Sequence, residues 1–166
     1  MAAFATSYIP TQASQVTRAA DNASMLGDNF ATWYNQTQGT FVVGFSSQYS
    51  GSPSGATPRQ LALTTLAGAS GYVSYWSNAV VSSFDGTNIA NANIGVSNWV
   101  GPHKVASSYG GVTKEICANA GTVGSGAYSG AWAAATGLTS APAGWVRAIS
   151  YYPTKLPSTT LQSITA

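Results

Sequence analysis

The chain has 166 residues, of which only 6% are charged, against roughly 25% in an average soluble protein. Five Trp, nine Tyr and five Phe supply enough apolar surface to exclude intrinsic disorder. Six scattered basic residues give a net charge of +2 but no basic patch, so a nucleic-acid partner is not expected.

Residues 1–20 read as an extended N-terminal lead-in, because Pro10 interrupts any regular ladder around Tyr8 and Ile9. Residues 21–166 read as a single sandwich domain. Gly39-Thr40-Phe41-Val42-Val43-Gly44-Phe45 is the clearest strand, β-branched and aromatic. Ser50 to Gly55 has no apolar side chain and reads as an exposed loop. Arg59 to Leu66 alternates Leu61 and Leu63 with smaller residues, and Gly71 to Trp76 separates Tyr72, Ser74 and Trp76 from Val73 and Tyr75. Asp85-Gly86 marks a hairpin. Ile89 to Val96, Trp99 to Ser107 and Glu115 to Ala118 read as further strands. Residues 121–143 are rich in Gly, Ala, Ser and Thr and read as a long loop with short strands, with Tyr128 and Trp132 as the large side chains. Gly144 to Tyr152 is a strong last strand that ends at Pro153. Leu156 to Leu161 then reads as a capped helical turn with Ser158 as N-cap. Short strands, frequent turns and no long amphipathic helix point to an all-β sandwich.

Several segments carry a resemblance. Ala5-Thr6-Ser7-Tyr8-Ile9-Pro10-Thr11 followed by Val16-Thr17-Arg18-Ala19-Ala20-Asp21 resembles a junction in bacteriophage and prophage tail-fibre or decoration proteins. There it leads into a concanavalin A-like (laminin-G-like) jelly-roll domain. Trp33-Tyr34-Asn35 to Gly39-Thr40, Gly144-Trp145-Val146-Arg147 to Tyr151-Tyr152-Pro153, and Leu156 to Leu161 are similar to the same family. The resemblance implies a concanavalin A-like jelly-roll β-sandwich with a short C-terminal helical turn. It also implies a framework role for Arg18, Asp21, Arg147 and Tyr151. The fold hosts lectins, glycan hydrolases, lyases and structural modules, so function has to be argued from the residues.

Those residues speak against catalysis. A glycosidase needs two carboxyl groups flanking one bond, and the chain has a single glutamate, Glu115, with Asp21, Asp28 and Asp85. Asp85 reads as a turn residue. His103 is the only histidine; with Lys104 and Tyr109 it could serve a β-elimination site, but it reads more simply as a strand-end histidine at a sheet edge. One His and one Cys cannot build a zinc site, and Asp85, Asn88 and Asn91 fall short of a calcium loop. No cofactor is expected. Cys117, the only cysteine, reads as a buried inert thiol and permits no intrachain disulfide.

Aromatic residues beside amides are the enriched functional class. Sugar rings present flat C–H faces that stack on Trp and Tyr, while their hydroxyls bond to Asn, Gln and Ser. The candidate glycan contacts are Trp76, Asn78, Asn98, Trp99 and Tyr109. The expectation is a non-catalytic phage virion surface module, in a fibre, tail or capsid decoration, that binds a cell-surface glycan. A purely structural decoration protein is the alternative, and a polysaccharide-degrading enzyme using His103 and Tyr109 comes third. Sparse charge suits an assembly of like copies and other virion proteins. Without a signal-peptide pattern or an apolar run of ~20 residues, synthesis in the host cytoplasm and no membrane insertion are expected.

Overall fold

Phe41, Val43 and Phe45 alternate with Val42 and Gly44 along one strand, β2 (Gln38–Ser47), and this period of two decides which face is buried. All three are 2% exposed or less. The computed structural model describes residues 23–47, 59–65, 71–77, 80–93, 100–140 and 145–166.

β2 belongs to a five-stranded sheet in the order β11 (Trp145–Tyr152), β2, β7 (Gly101–Gly110), β8 (Thr113–Ala118), β9 (Gly124–Ala127). A six-stranded sheet faces it in the order β1 (Ala23–Leu26), β10 (Ala135–Ser140), β3 (Arg59–Thr65), β4 (Gly71–Ser77), β5 (Val80–Phe84), β6 (Ile89–Asn93). Every pairing is antiparallel. The chain meanders through β3 to β6 in one sheet and β7 to β9 in the other. It then returns, with β10 inserted between β1 and β3 and β11 laid beside β2. The fold is an antiparallel β-sandwich, as the turn spacing predicted, with the jelly-roll arrangement that the resemblance implied.

Between the sheets lies a core that is aromatic at one end. Phe30, on the short helix α1 (Asp28–Ala31), packs with Tyr34, Phe41, Tyr109, Tyr128 and Trp132. β1 and α1 have no counterpart in the strand pattern read from sequence, because four-residue elements carry too few turns of periodicity. Residues 121–143 do contain short strands: β9, then a single 3-10 turn at Ala131–Ala134, then β10. Tyr128 and Trp132, the large side chains there, are both buried.

Two features lock the remaining faces. β9 lies backbone-to-backbone on β6, so close that a Cβ on Gly124 would sit 1.7 Å from the carbonyl oxygen of Asn91. The C-terminal helix α2 (Ser158–Ile164) covers the outer face of the five-stranded sheet, where Leu161 is buried against Ala106 and Cys117. Ser158 is not its N-cap. Pro157 holds that position, and the Ser158 hydroxyl donates instead to the Glu115 carboxylate at 2.6 Å. The hydroxyl thus donates to a tertiary acceptor and caps no local amide. Among the described residues no helix is long and apolar enough to cross a membrane.

Candidate functional site

Strand register defines two ends of the sandwich. At one end Lys104 of β7, Gly44 of β2 and Ala148 of β11 lie side by side, with Ala118 of β8 opposite Val105. β6 finishes at this end too, since Gly124, at the start of β9, abuts Asn91 and pairs with Ile116. The final residue of β6, Asn93, pairs with Val80, adjacent to the last turn of β4 at Ser77. Trp76 therefore lies on β4 at this same end. Asn78, Asn98 and Trp99 lie outside the described residues, in the chain next to Ser77 and Val100.

Tyr109 is placed differently. It lies at the far end of β7, opposite Gly39 and Lys114, and is fully buried. Its hydroxyl donates to the Asn35 carbonyl at 2.6 Å and lies 3.1 Å from the Tyr151 hydroxyl. Burial and the neighbouring Tyr34 and Tyr151 push its phenol well above the ordinary tyrosine range. No face of this ring is open to solvent, which removes it as a platform for a sugar. It also separates Tyr109 from His103 by six residues along one strand, roughly 20 Å, so the two cannot share an elimination site. Tyr151 and the Trp33-Tyr34-Asn35 segment are framework: the Asn35 amide donates to the Tyr151 hydroxyl and the Tyr34 hydroxyl to the Trp132 carbonyl, each at 2.9 Å.

The end that gathers Lys104, Gly44 and Ala148 also carries a cleft of about 500 Å³ on the sheet's outer face. Gly44 and Ala148 make a shallow floor. Around it stand Lys104, Asn119 and Arg147, with Pro102, His103 and the tail of the chain at Thr165 completing the walls. His103 is not at a sheet edge, since β7 is the central strand. Its ring packs on Phe45 with centroids 5.6 Å apart, and its Nδ1 lies 2.9 Å from the Asn119 side-chain nitrogen. Asn119 clamps the start of β7 further: its Oδ1 accepts from the Lys104 amide at 3.1 Å, and its own amide donates to the Lys104 carbonyl at 3.0 Å. Asn119 and Ala120 both adopt positive φ, 49° and 56°, a conformation costly for alanine that persists only where surroundings enforce it. Here the Thr165 hydroxyl does so, accepting from the Ala120 amide at 3.0 Å. The cleft wall is thus preorganised.

Arg147 reaches the rim through a backbone irregularity. In the β11–β2 ladder Val146 opposes Phe45 and Ala148 opposes Gly44, leaving Arg147 as the extra residue of a bulge. Such an insertion re-aims a side chain that regular alternation would place elsewhere. Gly44, Lys104, Asn119 and Arg147 were not among the glycan contacts read from sequence. The available signal was a glycine between Val43 and Phe45 in an otherwise bulky strand.

Among the described residues, the Glu115 and Asp85 carboxylates are engaged away from this cleft. Glu115 holds Ser158 and lies 3.7 Å from the Lys155 ammonium, while Asp28 starts α1 in solvent. Asp85 is more than a turn residue. Its Oδ1 accepts from the Thr87 and Asn88 amides, as an Asx turn requires. Its Oδ2 accepts from the Ser129 amide at 2.8 Å and the Lys114 ammonium at 3.0 Å, with both side chains fully buried. Burial opposes its charge, but the backbone amides of Asn88 and Ser129, then Lys114 and Thr87, outweigh it and hold the carboxyl below its ordinary value. Lys114 spends its other donors on the Asn88 and Ala127 carbonyls, and burial draws its pKa down against the pull of Asp85. Cys117 is buried, which raises its thiol. Among the described residues no three His, Cys, Asp or Glu side chains converge on a metal position.

No protein-family model matches the chain, and no curated protein matches it. Among solved structures, that of sheep galectin-11 in complex with glycerol is similar, with 8% identity and a TM-score of 0.48. The similarity covers 82% of this chain and 100% of that one.

Proposed function

We propose that the chain is a non-catalytic glycan-binding module on the surface of a bacteriophage or prophage virion, with the cleft over Gly44 as its recognition surface. The cleft carries this reading. A sugar ring offers a flat C–H face and a rim of hydroxyls. The cleft offers a floor of Gly44 and Ala148 beside the polar groups of Arg147, Lys104 and Asn119, the last two held by hydrogen bonds. Its volume lies within the ~300–1,000 Å³ of typical small-ligand sites. With Asp85 sealed in the core and Glu115 tied to Ser158, neither stands ready for bond cleavage here. Trp76 lies on β4, whose last residue Ser77 is at this end, and the contacts proposed from sequence, Trp76, Asn78, Asn98 and Trp99, are candidates for a second part of the surface. The virion setting is supported by the end motifs of the sequence and by its sparse charge.

A glycan array with the purified chain tests this. Binding to at least one glycan is expected, and Gly44→Leu, which fills the floor, is expected to weaken it about tenfold or more. An empty array with folded protein overturns the reading. Trp76→Ala and Trp99→Ala ask whether the surface reaches beyond the cleft.

A structural decoration role is favoured by one other observation. Trp145, Ile149 and Tyr152 on the edge strand β11, with Met25 and Leu26 on β1, are each at least 39% exposed. Particle-bound protein with no glycan affinity would support that role.

A further inference from the structure

Gly44 is a glycine that the fold does not require. Its φ lies outside the positive region, and a Cβ built on it would find its nearest neighbours, atoms of Ala148, at 3.9 Å. Neither backbone conformation nor packing asks for a missing side chain there. A glycine inside a strand otherwise marks a close approach by something else. Gly124 shows the contrast, since the backbone of Asn91 occupies the space that its side chain would take.

What approaches Gly44 can be read from the charge around it. Arg147 and Lys104 flank the cleft, and none of the residues lining it is Asp or Glu. In a sequence with only six basic residues, two of them at one cleft is a local concentration of positive charge. Lys104 is held by the main-chain oxygen of Ala166. Arg147 is exposed, and among the described residues its guanidinium makes no hydrogen bond or ion pair. Its five donors are therefore open to a ligand. A guanidinium matches a carboxylate through two parallel N–H···O bonds, and such charge-assisted pairs are roughly twice as strong as neutral ones.

We infer that the cleft takes an acidic sugar, a uronate or sialate unit, with its ring over Gly44 and Ala148 and its carboxylate on Arg147. This rests on the reading of the cleft as a glycan site and specifies its substrate class. Lys104 adds attraction at longer range, and Asn119 supplies an amide at the rim for a ring hydroxyl. The bulge at Arg147 then acquires a purpose, because it takes the anchor out of the regular ladder at the rim of the cleft.

The test is a panel of uronate and sialate oligosaccharides, each beside its carboxyl-reduced counterpart, titrated into the intact chain. Binding of the acidic forms is expected to exceed that of the reduced forms about tenfold or more and to weaken as salt rises. Arg147→Gln should lose that preference, and Arg147→Lys should keep the salt dependence with only part of the affinity. Amide shifts on binding should map to residues 44, 119 and 148. Thermal melts of each variant establish that it is folded. Equal binding of acidic and reduced forms, or unchanged preference in folded Arg147→Gln, overturns the acidic-sugar assignment while leaving a glycan module in place. Failure to bind any glycan, neutral or acidic, overturns both.

Discussion

Asp85 and Lys114 are opposite charges with no exposed surface, and every hydrogen-bonding position on the pair is engaged. Removing one partner leaves an uncompensated buried charge, so Asp85→Ala should cost about 3 kcal/mol or more in a denaturant melt. Asp85→Ala combined with Lys114→Met should cost less than the sum of the single changes, because the orphan charge is gone. The pH dependence follows from the depressed carboxyl. Its contribution is complete above the ordinary carboxylate value of 3.8 and disappears as pH falls through the lower folded value. The wild-type melting temperature should therefore drop more steeply below about pH 4 than that of the Asp85→Ala variant. An Asp-Gly pair announces a turn, and the Asx bonds are local enough to be foreseen. The charge pair is not, because Lys114 is 29 residues away in sequence and on the other sheet.

At the scale of elements, two in-strand glycines should respond oppositely to a methyl group. Gly124→Ala forces a side chain into the backbone of β6 and should cost about 3 kcal/mol. Gly44→Ala meets only ordinary van der Waals contacts with Ala148 and should leave the melting temperature unchanged or slightly raised. A large loss of stability in Gly44→Ala would mean that the fold needs that glycine after all, removing one support of the acidic-sugar assignment. α2 supplies the other element-level test. Leu161→Ala strips the helix of its buried anchor against Ala106 and Cys117 and should cost about 3 kcal/mol. Sequence reading placed this helical turn correctly after Pro153 but not its partner. The Ser158 hydroxyl bonds Glu115, 43 residues away in the chain.

For the whole molecule, charge and exposure argue together. A net charge of +2 over 166 residues provides little repulsion between copies. The β11 edge leaves Trp145, Ile149 and Tyr152 substantially exposed. Self-association at rising concentration is therefore expected in sedimentation, and a stable monomer at high concentration would count against the assembled setting.

The sequence by itself determined the class of fold and most strand positions. Period-two alternation and turn residues are local, and residues such as Phe41, Val43 and Phe45 carry them within a few positions. The family resemblance implied a framework role for Tyr151, with which its hydrogen bond from the Asn35 amide agrees, and for Arg147, which lines the cleft instead. Only the tertiary structure decided the site. The cleft joins Gly44, Lys104, Asn119, Arg147 and Thr165 from five separate stretches, and their meeting depends on strand order, on register and on one bulge. None of these is written in local periodicity. Burial of Tyr109 shows the same limit from the other side: alternation says that a face is covered, but which end of the sandwich holds the aromatic core is settled only when both sheets close over it.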